Sequence, residues 1–310
     1  MVRLKFAIDL RYEIADYPGD FIFNVHAAQT QCQSVVSENF RASQPVAVSL
    51  FTDPAHGNRY ARLRAMPGKL AVRYDAIVEI EHHIASPDSV GEMPIADLPA
   101  EALAYIYPSR YCQSDRLHRL ATAEFGALQP GYWRVRAIQD WVQRRTRFVS
   151  GSSNATTSAV DTLIEQVGVC RDFAHLMIAL CRAINIPARF ATAIDYGSDP
   201  AFGPTDFHAY VEAFLGGRWY LFDPSGMALP MGLIRLGTGR DAADVSFATI
   251  FGTVKSSAPQ ISIEGVEDVA NGIGLPQACV DALSTDGEAL ASHSRSSADA
   301  GLGPMAAIDG

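Results

Sequence analysis

At 310 residues the chain is long enough for roughly two domains of ordinary size, each able to bury its own core. With 48% hydrophobic and 19% charged residues it is neither a solvated, disordered polyelectrolyte nor a small disulfide scaffold. The net charge of −9 has the wrong sign for a chain whose main partner is nucleic acid, and the lack of any run of about 18 uninterrupted apolar residues argues against a membrane-spanning helix.

The first 95 or so residues read as β-structure. Leu4, Phe6, Ile8, Leu10 and Tyr12 alternate with more polar neighbours, and Leu70, Val72, Tyr74, Ala76, Val78 and Ile80 do so again, so each run predicts a half-buried strand. Asn58 to Ala65 is expected to pair back across the turn at Met66-Pro67-Gly68 as a hairpin, with shorter strands at Phe21 to Val25 and Val46 to Leu50. A β-sandwich or barrel-like N-terminal domain over 1–95 follows. Pro94, Pro99 and Pro108 then punctuate the passage to a second domain over 96–268.

There the period changes to that of helices. Ser114 heads a helix to about Phe125, and Val135, Ile138, Trp141 and Val142 space a second over Tyr132 to Arg147. A third starts near Gly168 and runs to about Ile184, with Phe173, Met177, Leu180 and Ile184 on one stripe and Asn185 and Pro187 ending it. Strands return at Ala188 to Ile194, Phe207 to Leu215 and Arg218 to Phe222. The last 42 residues, 269–310, carry no aromatic residue and five acids against one base, which predicts a mostly disordered acidic tail.

Five cysteines, Cys32, Cys112, Cys170, Cys181 and Cys279, form no C-x-x-C pair and predict neither a disulfide framework nor a zinc site. With Asp9 and Arg11 interrupting any secretory core, the expected compartment is the cytoplasm. Cys170 stands where a glycine-containing segment becomes a helix. Unpaired amides and the positive helix end favour a thiolate there, and Arg171 is expected to add positive charge. A lone cysteine is more often a small buried hydrophobe, so the position needs a partner. His175 lies some 140° around the helix and Cys181 about 16 Å along it, so both read as structural.

The better base is His208. Gly216-Gly217 suits a two-residue hairpin turn, and pairing Leu215 with Arg218 places Tyr210 opposite Asp223. His208 and Asp223 then project from one face as diagonal neighbours. Cys170, His208 and Asp223 thus fill the roles of nucleophile, general base and orienting acid. Other motifs carry less. Gly237-Thr238-Gly239 with Ala242 fits a dinucleotide pattern but has no room for the binding unit, and His82-His83 point to opposite faces of a strand. No calcium loop is present, and the acid-rich stretch from Asp195 to Asp206 reads as a solvated loop near the cleft.

The runs VGVCRDFAHLMIALCRAINIPARF and DFHAYVEAFLGGRWYLFDPSG resemble the core of the bacterial transglutaminase-like superfamily, whose members include cysteine proteases. YPSRYCQSD, GTGRDAADVSFATIFG and the β-rich N-terminal region extend the resemblance to about residues 1–266. It implies an α+β fold with a papain/transglutaminase-like core, and it places the family's triad on Cys170, His208 and Asp223. No cofactor and no metal are expected. The expected activity is amide acyl transfer on a peptide or protein, through a thioester resolved by water. Resolution by an amine, as in a transglutaminase, and a catalytically silent protein-binding module are the alternatives.

Overall fold

The computed structural model describes residues 1–197 and 205–287. Seven strands open the chain: β1 (Val2–Ile14), β2 (Gly19–Phe23), β3 (Gln33–Ala42), β4 (Ser49–Thr52), β5 (Arg59–Ala65), β6 (Gly68–Ile80) and β7 (His83–Ala85). Helices follow, with two short strands among them: α1 (Ala100–Leu103), α2 (Ser114–Phe125), α3 (Tyr132–Arg145), β8 (Arg147–Phe148), α4 (Ala159–Glu165), β9 (Val167–Gly168) and α5 (Cys170–Ala183). The chain then returns to strands: β10 (Ala188–Asp195), β11 (Phe207–Leu215), β12 (Arg218–Phe222), β13 (Leu233–Gly239), β14 (Ala248–Phe251), β15 (Val254–Ser256), β16 (Gln260–Gly265) and β17 (Ala282–Ser284).

The N-terminal region is a two-sheet sandwich. One sheet runs β15-β1-β6-β3 with β16 also on β1, and the other runs β14-β2-β5-β4. The period-two pattern is met in the core: Leu4, Phe6, Ile8, Leu10 and Tyr12 pack with Leu70, Val72, Tyr74 and Val78 and with Phe21, Phe23 and Leu63 of the facing sheet. The expected hairpin of Asn58 to Ala65 with the next strand does not form. β5 pairs with β2 and β4, β6 with β1 and β3, and the chain passes between sheets at Met66-Pro67. Both strands have one apolar face, and placing them in opposite sheets turns both faces into one core.

The second region lays α5 against an antiparallel sheet of order β12-β11-β10-β13. The helix is buried on all sides from Asp172 to Ala183, beyond the single stripe its periodicity suggested, because α2, α3 and α4 cover what the sheet does not. Asn185, at φ +65°, ends it as the sequence implied. The hairpin register is also as expected, Leu215 opposite Arg218 and Val211 opposite Phe222. Both turn glycines have positive φ, +54° at Gly216 and +86° at Gly217.

Two expectations about the chain's organisation are corrected. The stretch 248–265, placed by sequence in the second domain, returns to the sandwich: β14 pairs with β2, and β15 and β16 pair with β1. The segment 269–287 is ordered rather than a free tail. β17 pairs with β7, Ala282 and Leu283 are buried, and the Asp286 carboxylate meets Arg189 at 2.5 Å and Arg235 at 3.2 Å. Backbone pairing and part-buried ion pairs anchor it, and neither leaves a compositional trace. Residues 288–310 of the expected tail lie outside the described residues.

Candidate active site

The chain approaches Cys170 in extended form, β9 pairing in parallel with β8, and turns into α5 at Val169. Asp172, fully buried in the first turn, holds that corner: its carboxylate accepts the Val169 N–H at 2.9 Å and the Ser153 hydroxyl at 2.9 Å. This is the reach-back half of a capping box. A Cβ at Gly168 would sit 2.7 Å from the Cβ of Asp172, so the close approach needs glycine. The Arg171 guanidinium donates to the Ser153 hydroxyl and, at 2.7 Å, to the Asn154 carbonyl. It is therefore turned toward that loop, and the positive charge expected beside Cys170 is spent elsewhere.

Burial pushes the Cys170 thiol up to about 12, despite backbone hydrogen bonds from Ala209 and Arg171, and the charges of Asp223 and Asp206 act in the same upward direction. Burial thus opposes the thiolate that the helix start was expected to favour. Desolvation acts against the amides and favours the protonated form, although Cys170 is only half-buried. Cys170 packs against the core that includes Ala209, the neighbour of His208 on β11.

His208 is buried, with Nε2 3.3 Å from Oδ1 of Asp223 and Nδ1 3.5 Å from Oδ2 of Asp195. Burial opposes the imidazolium, but the two carboxylates outweigh it and hold the His208 pKa above its ordinary value. Burial likewise acts to raise Asp223, and the His208 charge together with the Ser225 and Ala228 donors more than reverses it, leaving that carboxyl below its usual range. Asp223 is fixed in turn. Its Oδ1 accepts the Ser225 N–H at 3.0 Å and the Ser225 hydroxyl at 2.7 Å, and its Oδ2 accepts the Ala228 N–H at 2.9 Å.

Sequence reasoning missed Asp195 in this role. It was read with the solvated loop ending at Asp206, whereas it is the last residue of β10 and only 5% exposed; residues 198–204 of that loop lie outside the described residues. The structure, not the sequence, supplies the cue: in the β10–β11 register Ala193 faces His208, and Asp195 lies two residues beyond it. Asp172 and Ser225 were also missed; the Asp-Pro-Ser turn and an acid two residues past Cys170 were their cues.

Other conspicuous residues brace the scaffold. His175 stacks between Tyr111 and Phe190 and accepts the Ala242 N–H at 3.1 Å, as its helical angle implied. Cys181 is buried in the core. Arg182, buried on α5, donates to the carbonyls of Ala188, Tyr107 and Arg240 and to the Ser109 hydroxyl. Asp241 accepts the Tyr111 N–H at 2.9 Å. The YPSRY and GTGRD runs are thus clamped to one another around the far end of α5, and Gly237 to Gly239 is the end of β13.

A helix headed by a cysteine, laid on an antiparallel sheet with a histidine on one strand and an aspartate just past the end of the next, defines the papain-like α+β class. Within that class the chain belongs to the transglutaminase-like superfamily. Its core model matches residues 120–224, and a bacterial transglutaminase N-terminal domain matches 2–101. The crystal structure of a "Putative Cysteine Protease" from Cytophaga hutchinsonii is 37% identical, with a TM-score of 0.83 over 91% of this chain and 97% of that one. An uncharacterized protein of Mycobacterium leprae is 32% identical over 117 residues, 36% of this chain and 42% of that protein. One from Mycobacterium tuberculosis is 30% identical over 143 residues, 43% and 46% of the two chains. The matched stretches thus span less than half the length of these curated relatives.

Proposed function

We propose that the chain is a cysteine-dependent amide hydrolase acting on a peptide or protein, with Cys170 as nucleophile, His208 as general base and acid, and Asp223 as its orienting partner. The observation that carries this reading is the buried pair of His208 and Asp223, Nε2 to Oδ1 3.3 Å, on the sheet against whose Ala209-containing core Cys170 packs. A thiol at rest requires that its proton leave as it attacks. The Cys170 S–H proton passes to His208 while the sulfur bonds the substrate carbonyl carbon. The oxyanion is held by backbone donors, the Cys170 amide at the start of α5 being the candidate. His208 then gives its proton to the departing amine as the C–N bond breaks. Water adds to the thioester, His208 takes a proton from it, and the C–S bond breaks to return the thiol and a free carboxylic acid.

The test uses the full chain with a panel of peptide and side-chain amides, with and without an added primary amine, read by mass spectrometry. The expected result is a free acid product and a mass increment on Cys170 during turnover, both lost in Cys170→Ala and reduced at least about 10³-fold in His208→Ala. An amine adduct in place of the acid would make the protein a transglutaminase. No product across the panel, with Cys170→Ala leaving partner capture unchanged, would favour a binding module.

A further inference from the structure

β11 is a central strand, and His208 has a carboxylate on each neighbouring strand. β10 places Ala193 opposite His208, so Asp195, two residues along, is a diagonal neighbour on the same face. On the other side the β11–β12 register puts Asp223 opposite Tyr210, which makes it the diagonal neighbour in the other direction. The contacts agree: Asp195 Oδ2 lies 3.5 Å from Nδ1 and Asp223 Oδ1 lies 3.3 Å from Nε2, with all three side chains less than a tenth exposed. We propose that Asp195 is a positioning residue, a second buried carboxylate that grips the Nδ1 edge of His208 while Asp223 grips the Nε2 edge.

The other charged groups near the pair have partners of their own. On the same face, Arg235 of β13 and Arg189 of β10 are engaged with Glu212 and Asp286, and Tyr210 donates to Glu212 at 3.0 Å. Arg171 of α5 is held by Ser153 and Asn154. Asp206, at the entry to β11, accepts the Phe207 N–H at 2.7 Å and adds negative charge near Cys170. The His208 ring is a cationic group that both Asp195 and Asp223 face. Two carboxylates make the ring a stronger proton acceptor than one, which favours transfer of the Cys170 proton to it; the nitrogen that receives that proton must exchange its Asp195 contact for the thiol. This last step rests on the proposed function, whereas the grip itself does not.

The experiment follows the His208 ring by ¹⁵N NMR in the full chain carrying Cys170→Ala, which removes coupling to the thiol. The expected titration midpoint lies above the ordinary value of about 6.5, and adding Asp195→Asn lowers the proton affinity by about threefold or more, with Asp195→Glu restoring part of it. An unchanged midpoint in folded Asp195→Asn, together with a fall in Asp223→Asn, would overturn the proposal. If Asp195→Asn does not fold, the wild-type ring decides. Below the midpoint two slowly exchanging ring N–H signals are expected, and a single one, from Nε2, would overturn it. In otherwise wild-type protein, Asp195→Asn is further expected to slow iodoacetamide labelling of Cys170 severalfold at pH 7–8. Because the titration needs no turnover, inactivity toward amides would defeat the proposed function and leave this result standing.

Discussion

A carboxylate that orients a buried histidine has itself to be held, and Asp223 is held by the Ser225 amide, the Ser225 hydroxyl and the Ala228 amide. Those three donors come from the chain's own turn after β12, where Pro224 stops the strand, so the geometry is local and pre-formed. Opposite shifts in the pair fix a pH signature. His208 is raised in the fold, so its contribution to stability is complete below its unfolded value near 6.5 and fades as pH rises through the folded value. Asp223 is lowered, so its contribution is complete above its unfolded value near 3.9 and fades as pH falls through the folded one. The pair is therefore strongest between about pH 4 and 6.5. His208→Gln should cost more unfolding free energy at pH 5 than at pH 9, by about 1 kcal/mol or more. Urea melts of both proteins at the two pH values check this, and an equal cost at both would show that the charge on the ring contributes nothing.

Register at the β11–β12 hairpin decides which side chains meet. A slip of one residue would send His208 and Asp223 to opposite faces. Gly216 and Gly217 prevent it by adopting left-handed backbone that suits a tight two-residue turn, +54° and +86°. Nothing crowds a Cβ at Gly217, so a substitution there tests backbone conformation alone. Gly217→Val should lower stability by about 1–2 kcal/mol in urea melts, with the His208 ring signals shifted or broadened, whereas Gly217→Asn should be milder because Asn tolerates this region. Helix α5 illustrates a different kind of control. Its N-terminal corner is set by Gly168 and Asp172 and its far half by Arg182, so Cys170 is fixed from both ends of a helix buried along nearly its whole length.

The molecule as a whole is not two beads on a string. β1 is hydrogen-bonded on one side by β6 and on the other by β15 and β16, strands that arrive after the whole second sheet has formed in sequence. Ile194, Ile234 and Leu236 of that second sheet enter the sandwich core. A fragment ending at Glu101, the limit of the N-terminal family match, therefore leaves the long edge of β1 bare and strips β14 from β2. Such a fragment should aggregate or show the narrow amide dispersion of an unfolded chain, while a chain of residues 1–287 should give a dispersed spectrum. A well-dispersed spectrum from the shorter fragment would show that the late strands are dispensable. The ordered segment 269–287 closes the structure in the same way, with Asp286 joining two arginines of the second sheet.

The sequence by itself determined what is local. Alternation marked β1 and β6, a 3.6-residue period and terminal signals marked α2, α3 and α5, and a Gly-Gly turn fixed the register that makes His208 and Asp223 neighbours. Those features rest on interactions between residues close along the chain, so their causes lie within a short window of sequence. Tertiary structure alone decided the rest. Whether β5 joins β6 or leaves for another sheet depends on which partners share the core, and the return of β14 to β2 and of β15 and β16 to β1 depends on strands more than 200 residues away. The same holds at Cys170. Helix position argues for a thiolate, but burial by elements distant in sequence sets the balance, and the orientation of Arg171 is chosen by Ser153 and Asn154. Asp195 looks like one more acid of a surface loop until β10 carries it beneath His208, because solvation is a property of the packed molecule and not of the residue.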